Sequence, residues 1–248
     1  MRKVVLVTGG GRGIGAATCI LAAQKGWDVA VNYATNAEAA QQVVKQIQAT
    51  GARAIAVQAD VADEAQVLAM FKRVQAELGP LQGLVNNAGV IDVYARLDEM
   101  SMARWRRMFD INVLGSMLCA REAVLQMSTK HGGRGGSIVN LSSAAARLGA
   151  AGQYLDYAAA KGAIDSLTLG LAKEVAGEGI RVNAIRPGLI DTEIHASGGL
   201  PNRVKDLEHL VPAKRGGTAM EVAQAIVWLL SDDASYTTMS LIDVSGAR

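Results

Sequence analysis

The stretch Val4-Val5-Leu6-Val7-Thr8-Gly9-Gly10-Gly11-Arg12-Gly13-Ile14-Gly15 decides the fold. Its first part is short, apolar and β-branched, the pattern of a buried strand. Ala16 to Lys25 follows as a helix. Strand, glycine loop and helix in that order make a glycine motif meaningful. Glycines let backbone approach a phosphate closely, and a helix N-terminus offers free N–H groups with a partial positive charge. A loose G-x-G-x-x-G/A match runs from Gly11 to Ala16, but the spacing Gly9, Gly13, Gly15 is the more telling feature.

Downstream, strands and helices alternate. Asp28 to Asn32, Ala54 to Ala59, Gly83 to Asn86, Ser137 to Leu141, Ile180 to Ile185 and Leu241 to Val244 read as strands. Between them, Asn36 to Thr50, Asp63 to Leu78, Ser101 to Ser128, Leu155 to Gly177 and Glu221 to Leu230 read as helices. This alternation predicts an α/β fold, a parallel sheet covered on both faces. No linker, repeat or low-complexity segment divides residues 1–248, so a single domain is expected. In a dinucleotide fold, an acid at the end of the second strand would hold a ribose 2′-hydroxyl and select NAD. Here that strand ends in Asn32-Tyr33-Ala34-Thr35, and Asp28 lies at its start. Arg12 sits in the glycine loop, placed to meet a 2′-phosphate. Both features favour NADP(H) over NAD(H).

The chemistry centres on Tyr157 and Lys161, four residues apart among strong helix formers. Positions i and i+4 share a helix face. A cation within about 4–6 Å favours a phenolate and lowers the tyrosine pKa. So tuned, a phenol serves as general acid in carbonyl reduction and as base in the reverse reaction. Ser142-Ser143 ends the preceding strand, Asn86-Asn87-Ala88-Gly89 ends another, and Asn112 stands among apolar neighbours. Open parallel sheets bind ligands at these carboxyl ends.

Composition narrows the classes. With 25 basic and 23 acidic residues the net charge is +2, no footprint for nucleic acid or an anionic membrane. The longest uncharged run, Leu78 to Ile91, is too short and polar to span a bilayer. No signal-peptide core follows Met1, and a cytoplasmic protein is expected. Cys19 and Cys119 read as buried thiols; they and His131, His195 and His209 show no metal-ligand spacing, so structural or surface roles are expected.

Thr8-Gly9-x-x-x-Gly13-Ile14-Gly15, Asn86-Asn87-Ala88-Gly89, Asn112, Ser143, Tyr157-x-x-x-Lys161 and Pro187-Gly188 together resemble the short-chain dehydrogenase/reductase family, in that order over nearly the whole chain. The closest resemblance is to the compact branch holding 3-oxoacyl-carrier-protein reductases and bacterial glucose dehydrogenases. It implies a Rossmann-type doubly wound sheet of about seven strands and a homotetramer joined through the helices Ser101–Ser128 and Leu155–Gly177. It implies Tyr157 as general acid/base, Lys161 as its tuning cation and ribose ligand, Ser143 as donor to the substrate oxygen, and Asn112 as holder of a relay water. On the cofactor side it implies Gly9, Gly11, Arg12, Gly13 and Ile14 at the pyrophosphate and adenosine, and Asn32, Tyr33 and Ala34 at the second strand's end. Asp60 and Val61 would meet adenine, Asn87 the riboses, and Ile190 and Thr192 the carboxamide.

The chain departs from the family in places. The interval from Ser143 to Tyr157 is one residue longer than expected, so Ser142 competes for the serine role. Met239 stands where the family usually has Gly, a strained choice if that turn needs positive φ. Ala247 interrupts a common double glycine. Residues 193–217 would form a substrate lid. A 3-oxoacyl thioester, a sugar or another small ketone would each be compatible, and the few aromatic residues suggest no stacking platform for a large planar ligand. A non-catalytic NADP(H)-binding regulator of the same fold is the alternative.

Overall fold

The computed structural model describes residues 2–248. Its first half runs β1 (Lys3–Val7), α1 (Gly13–Gln24), β2 (Trp27–Tyr33), α2 (Ala37–Gln48), β3 (Ala54–Gln58), α3 (Glu64–Leu78) and β4 (Leu81–Asn86). Next come α4 (Met102–Phe109), a π-helical turn (Asp110–Leu114), α5 (Gly115–Met127), β5 (Gly136–Leu141), α6 (Ala145–Leu148), α7 (Leu155–Val175) and β6 (Ile180–Pro187). The chain closes with β7 (Ile190–Asp191), α8 (Ile194–Ser197), α9 (Arg203–Leu207), β8 (Gly217–Thr218), α10 (Ala219–Leu230) and β9 (Leu241–Val244).

A seven-stranded sheet has the order β3-β2-β1-β4-β5-β6-β9, and every neighbouring pair is parallel. This is the Rossmann-type doubly wound arrangement expected. Side chains alternate across a strand, and β1 shows the consequence. Val5 and Val7 pack with Cys19, Val43 and Ile226 of α1, α2 and α10. Val4 and Leu6 point the other way, toward Phe71, Ala123 and Val175 of α3, α5 and α7. A strand buried on both faces must be apolar throughout, which is why Val4 to Val7 carries no alternation in its sequence.

From β1 the chain winds outward through β2 and β3, then returns to place β4 on β1's other side. The carboxyl ends of β1 and β4 therefore diverge and open a crevice. The glycine loop, the Asn86-Asn87 turn and the end of β5 all border it.

Two features of the fold were not expected. The helix expected over Ser101–Ser128 is α4 and α5 joined by the π-helical turn that carries Asn112. A π-turn inserts one residue without breaking the helix, so periodicity alone does not reveal it. The predicted lid, residues 193–217, is bracketed by the two strands of the ribbon β7–β8, too short to show a pattern. At the far edge, Met239 has φ +63° and Ala247 φ +70°, so both departures from glycine occupy left-handed backbone.

Candidate active site

One wall of the crevice is the glycine loop. Helices α2, α3 and α10 begin with a side-chain cap, from Asn36, Asp63 and Thr218. The start of α1 has no such cap and no acid in its first turn. Its N–H groups are thus open to an anion. A Cβ added to Gly15 would lie 2.4 Å from the Gly9 carbonyl oxygen, so that contact tolerates no side chain. Gly9 and Gly13 occupy left-handed backbone, at φ +62° and +52°. Gly11 meets nothing nearer than 3.4 Å, which is why the Gly9-Gly13-Gly15 spacing tells more than the match starting at Gly11.

Side-chain amides tie the loop down. Asn87 Nδ2 donates to the carbonyls of Thr8 (2.8 Å) and Gly9 (3.0 Å). Asn32 Oδ1 accepts from the Gly9 N–H (3.1 Å), while its Nδ2 donates to Ala59 O (3.0 Å). Asn32 was expected on the cofactor side; its buried side chain is instead spent holding the loop to β3. Arg12, Ala34 and Asp60 are exposed, Tyr33 is half-buried, and Val61 is buried against Gly115. Asp28 pairs with Arg53 at the opposite end of β2.

A second wall comes from β5 and α7. Lys161 Nζ lies 5.5 Å from the centre of the Tyr157 ring and donates to Leu141 O (2.7 Å). Ser142 Oγ donates to the Lys161 carbonyl (3.1 Å), so it is committed to the backbone of α7. Ser143 Oγ accepts from Ala145 N–H (3.1 Å), faces the Tyr157 phenol, and keeps its own proton for another partner. Of the two serines, Ser143 is the one beside the phenol. Asn112 Nδ2 donates to Val90 O and Met108 O (3.0 Å each), strapping the turn after β4. A Cβ on Gly89 would meet Asn112 Oδ1 at 2.7 Å and Lys161 Nζ at 3.6 Å, so both polar atoms converge on that glycine.

The electrostatics correct one expectation. Burial pushes the Tyr157 phenol above its ordinary value, with the neighbouring Ser143 hydroxyl and the Arg203 charge pulling it down. Burial takes Lys161 down to about 8, opposed by Asp165 one turn along. Desolvation thus favours the neutral form of both groups. The groups that pull the phenol down are Ser143 and Arg203, not Lys161 as expected.

The third wall belongs to residues 193–217 and the segments they cover. His195 is buried; its Nε2 donates to Ile190 O (2.8 Å), and Nδ1 has no partner among the described residues. Burial lowers its pKa, and nearby Arg203 lowers it further. Arg203 lies over the rings of Tyr154 (5.2 Å) and Tyr94 (5.9 Å). Its Nε donates to Tyr94 Oη (3.1 Å) and its Nη2 to Gln153 Oε1 (3.3 Å). The three walls enclose a cavity of about 420 Å³, and Ile14, Asn87, Ser143, Tyr157, Lys161, Ile190 and Thr192 all reach it.

A sequence profile of the family described as Enoyl-(Acyl carrier protein) reductase matches residues 9–246. An Escherichia coli protein named as an uncharacterised oxidoreductase is 55% identical over 245 residues, covering 99% of each chain. A 3-oxoacyl-[acyl-carrier-protein] reductase of Staphylococcus aureus is 38% identical, over 99% of this chain and 98% of its own. A cis-4-hydroxycyclohexanecarboxylate dehydrogenase of Sinomonas cyclohexanicum is 41% identical, over 98% and 95%. The solved structure of a Serratia marcescens short-chain dehydrogenase/reductase superposes with a TM-score of 0.90, at 31% identity over 99% of this chain and 97% of its own. The chain belongs to the short-chain dehydrogenase/reductase family. It is an oxidoreductase of that family.

Within this short-chain dehydrogenase/reductase, the family motifs stand together at the crevice, though far apart in sequence. Sequence reasoning overlooked Tyr94, Gln153, Tyr154, His195 and Arg203. His195 was expected in a structural or surface role, which its buried bond to Ile190 O fits, and the few aromatic residues were expected to offer no stacking platform for a large planar ligand. Tyr154 nevertheless lines the cavity, with Tyr94 edge-on behind it and Arg203 of the lid over both rings. The available signal was His195 lying only three residues beyond Thr192 at the start of that segment.

Proposed function

We propose that this short-chain dehydrogenase/reductase is NADP(H)-dependent and interconverts a carbonyl with a secondary alcohol. The observation that carries the reading is the convergence of Ser143, Tyr157 and Lys161 on the cavity that Ile14 of the phosphate loop also lines. The loop's uncapped helix start at Gly13 suits a pyrophosphate. Exposed Arg12, and the absence of an acid at the end of β2, suit a 2′-phosphate.

When bound, the nicotinamide supplies or accepts the hydride. In reduction, Tyr157 gives its phenolic proton to the carbonyl oxygen as charge develops there, and Ser143 donates a hydrogen bond to the same oxygen. Lys161 holds the ribose and lends its charge to Tyr157, while Asn112 orients the relay water that returns a proton. Gly9, Gly11, Arg12, Gly13 and Ile14 hold the pyrophosphate and adenosine end; Asp60, Val61, Asn87, Ile190 and Thr192 flank the rest.

Residues 1–248 act as one unit with a lid at 193–217. Exposed Phe109, Leu114, Met117 and Leu125, with Leu155 and Leu169 on α7, suit burial in a homotetramer. No helix among the described residues is long and apolar enough to cross a membrane; we assign the protein to the cytoplasm. The test follows NADPH and NADH absorbance with a panel of ketones, aldehydes and sugars. Preferential NADPH oxidation supports the reading. Coenzyme binding without turnover of any carbonyl overturns it in favour of a regulator, and a stable monomer in sedimentation overturns the tetramer.

A further inference from the structure

Three of the arginines that the fold uses for its own packing are paired with carboxylates, while half-buried Arg181 is spent on the Thr237 and Ser231 carbonyls. Arg104 pairs with buried Asp156 (2.7 Å), Arg186 with Asp165 (2.7 Å), and Arg53 with Asp28 (2.7 Å). Arg203 is treated differently. It is half-buried, lines the cavity, and meets no carboxylate among the described residues. Its protein partners are neutral oxygens, on Tyr94 and Gln153, and two aromatic faces. Nη1 has no hydrogen-bond partner among the described residues. Among the described residues that line the cavity, none is Asp or Glu. Withdrawing a cation from water without a counter-charge is unfavourable, and an anion entering that space would relieve the cost.

Resting on the oxidoreductase reading above, we propose that the substrate carries a carboxylate some distance from its reacting carbonyl, and that Arg203 binds it. The planar guanidinium matches a carboxylate's geometry. Tyr94, Tyr154 and Gln153 hold it in one orientation, so little of its freedom remains to be lost on binding. Arg203 and Tyr157 line the same cavity, so one small molecule can meet both groups. Its carbonyl meets Ser143 and Tyr157 while its acid end meets the lid. Neutral His195, with an unpartnered Nδ1 lone pair, adds no cation beside Arg203 on the lid side. The site thus selects short-chain or single-ring oxo- and hydroxy-acids over their neutral analogues.

The test is a ladder of matched pairs: acetoacetate, 4-oxopentanoate and 4-oxocyclohexanecarboxylate, each against its methyl ester. The readout is kcat/KM for acid over ester, in the intact protein with its preferred coenzyme. A charge-assisted hydrogen-bonded contact predicts a preference of about tenfold to hundredfold for at least one acid. Arg203→Leu erases that ratio, and Arg203→Lys, which keeps the charge but not the fork, restores part of it. Thermal melts and coenzyme titration establish that both variants are folded.

If Arg203 only clamps the lid, acid and ester fall together in Arg203→Leu and the ratio survives; that result overturns the proposal. So does equal use of acids and esters by the wild type. Turnover of neutral ketones or sugars with none of the six probes also overturns it, and leaves the oxidoreductase reading standing. Failure of every carbonyl compound despite bound coenzyme removes that reading, and this proposal with it.

Discussion

The glycine-loop wall and the lid wall of the same cavity are held by different means. At the loop, polar groups are satisfied within the fold: Asn87 and Asn32 tie it to its neighbours through backbone atoms, and only the N–H groups at the start of α1 stay open. At the lid, short elements are joined by side chains: Arg203 to Tyr94 and Gln153, Arg215 to Glu221. His195 Nδ1 is buried there without a partner among the described residues. The first wall presents a fixed surface to the constant part of a reaction. The second presents side chains that can be exchanged without disturbing the sheet, which is where specificity is set.

The largest expected effect tests whether chemistry belongs to the fixed side. Tyr157→Phe removes the proton donor and leaves the ring's packing. Turnover should fall by about 10³-fold, within the usual span for general acid–base catalysis, while coenzyme affinity measured by fluorescence titration changes little. Parallel loss of coenzyme binding would mean that Tyr157 serves structure first, and the division between the walls would fail.

Next in size is the pair joining the fixed side to the loop beneath the lid. Arg104 bridges Asp156 at the start of α7 and the carbonyl of Val93 (2.8 Å). The two side chains are 9% and 1% exposed, so removing one strands the other in a dry environment. Asp156→Ala should destabilise by about 3–5 kcal/mol, lowering Tm by roughly 10 °C in a chain of this size. Arg104→Met combined with Asp156→Leu should recover much of that loss. A single mutant melting like wild type would show that the walls are coupled by other contacts.

The buried ammonium gives a pH signature. Lys161 titrates at about 8 in the fold against 10.5 when unfolded, so the unfolded chain binds more protons between those values. Folding therefore carries a penalty that is complete below pH 8 and fades as pH rises toward 10.5. At about 1.4 kcal/mol per unit, the penalty is about 3 kcal/mol. Urea melts of wild type and Lys161→Met should show their stability difference shifting toward wild type by about that much between pH 7 and pH 10.5. A flat difference would place Lys161 in a wetter setting than its 4% exposure suggests.

What the sequence disclosed follows the same line between the walls. The alternation of strands and helices, the phosphate loop and the Tyr157–Lys161 face rest on local rules: glycine where a Cβ would collide, apolar runs where both faces are covered, spacing along one helix. The lid's decisive contacts join Arg203 to Tyr94 and Gln153, separated by 109 and 50 residues. No periodicity marks such pairs, and a half-buried arginine looks like a solvated one until its neighbours are known. The π-turn around Asn112 was hidden for a related reason: one inserted residue leaves the helical pattern nearly intact.

The smallest effect lies outside both walls and serves as their control. Met239 donates its N–H to Val182 O (2.7 Å) and adopts φ +63°, a conformation that costs a non-glycine residue about 1–2 kcal/mol. Its side chain is 42% exposed, so little packing is lost on its removal. Glycine adopts that backbone freely but gains entropy in the unfolded chain, which offsets part of the relief. Met239→Gly should therefore raise stability by about 0.5–1 kcal/mol in a urea melt, with kcat, KM and coenzyme affinity unchanged. A gain in stability accompanied by altered KM would mean that strain at this edge is transmitted through β6 to the Pro187-Gly188 turn, and that the crevice is less isolated from the sheet edge than its hydrogen bonds imply.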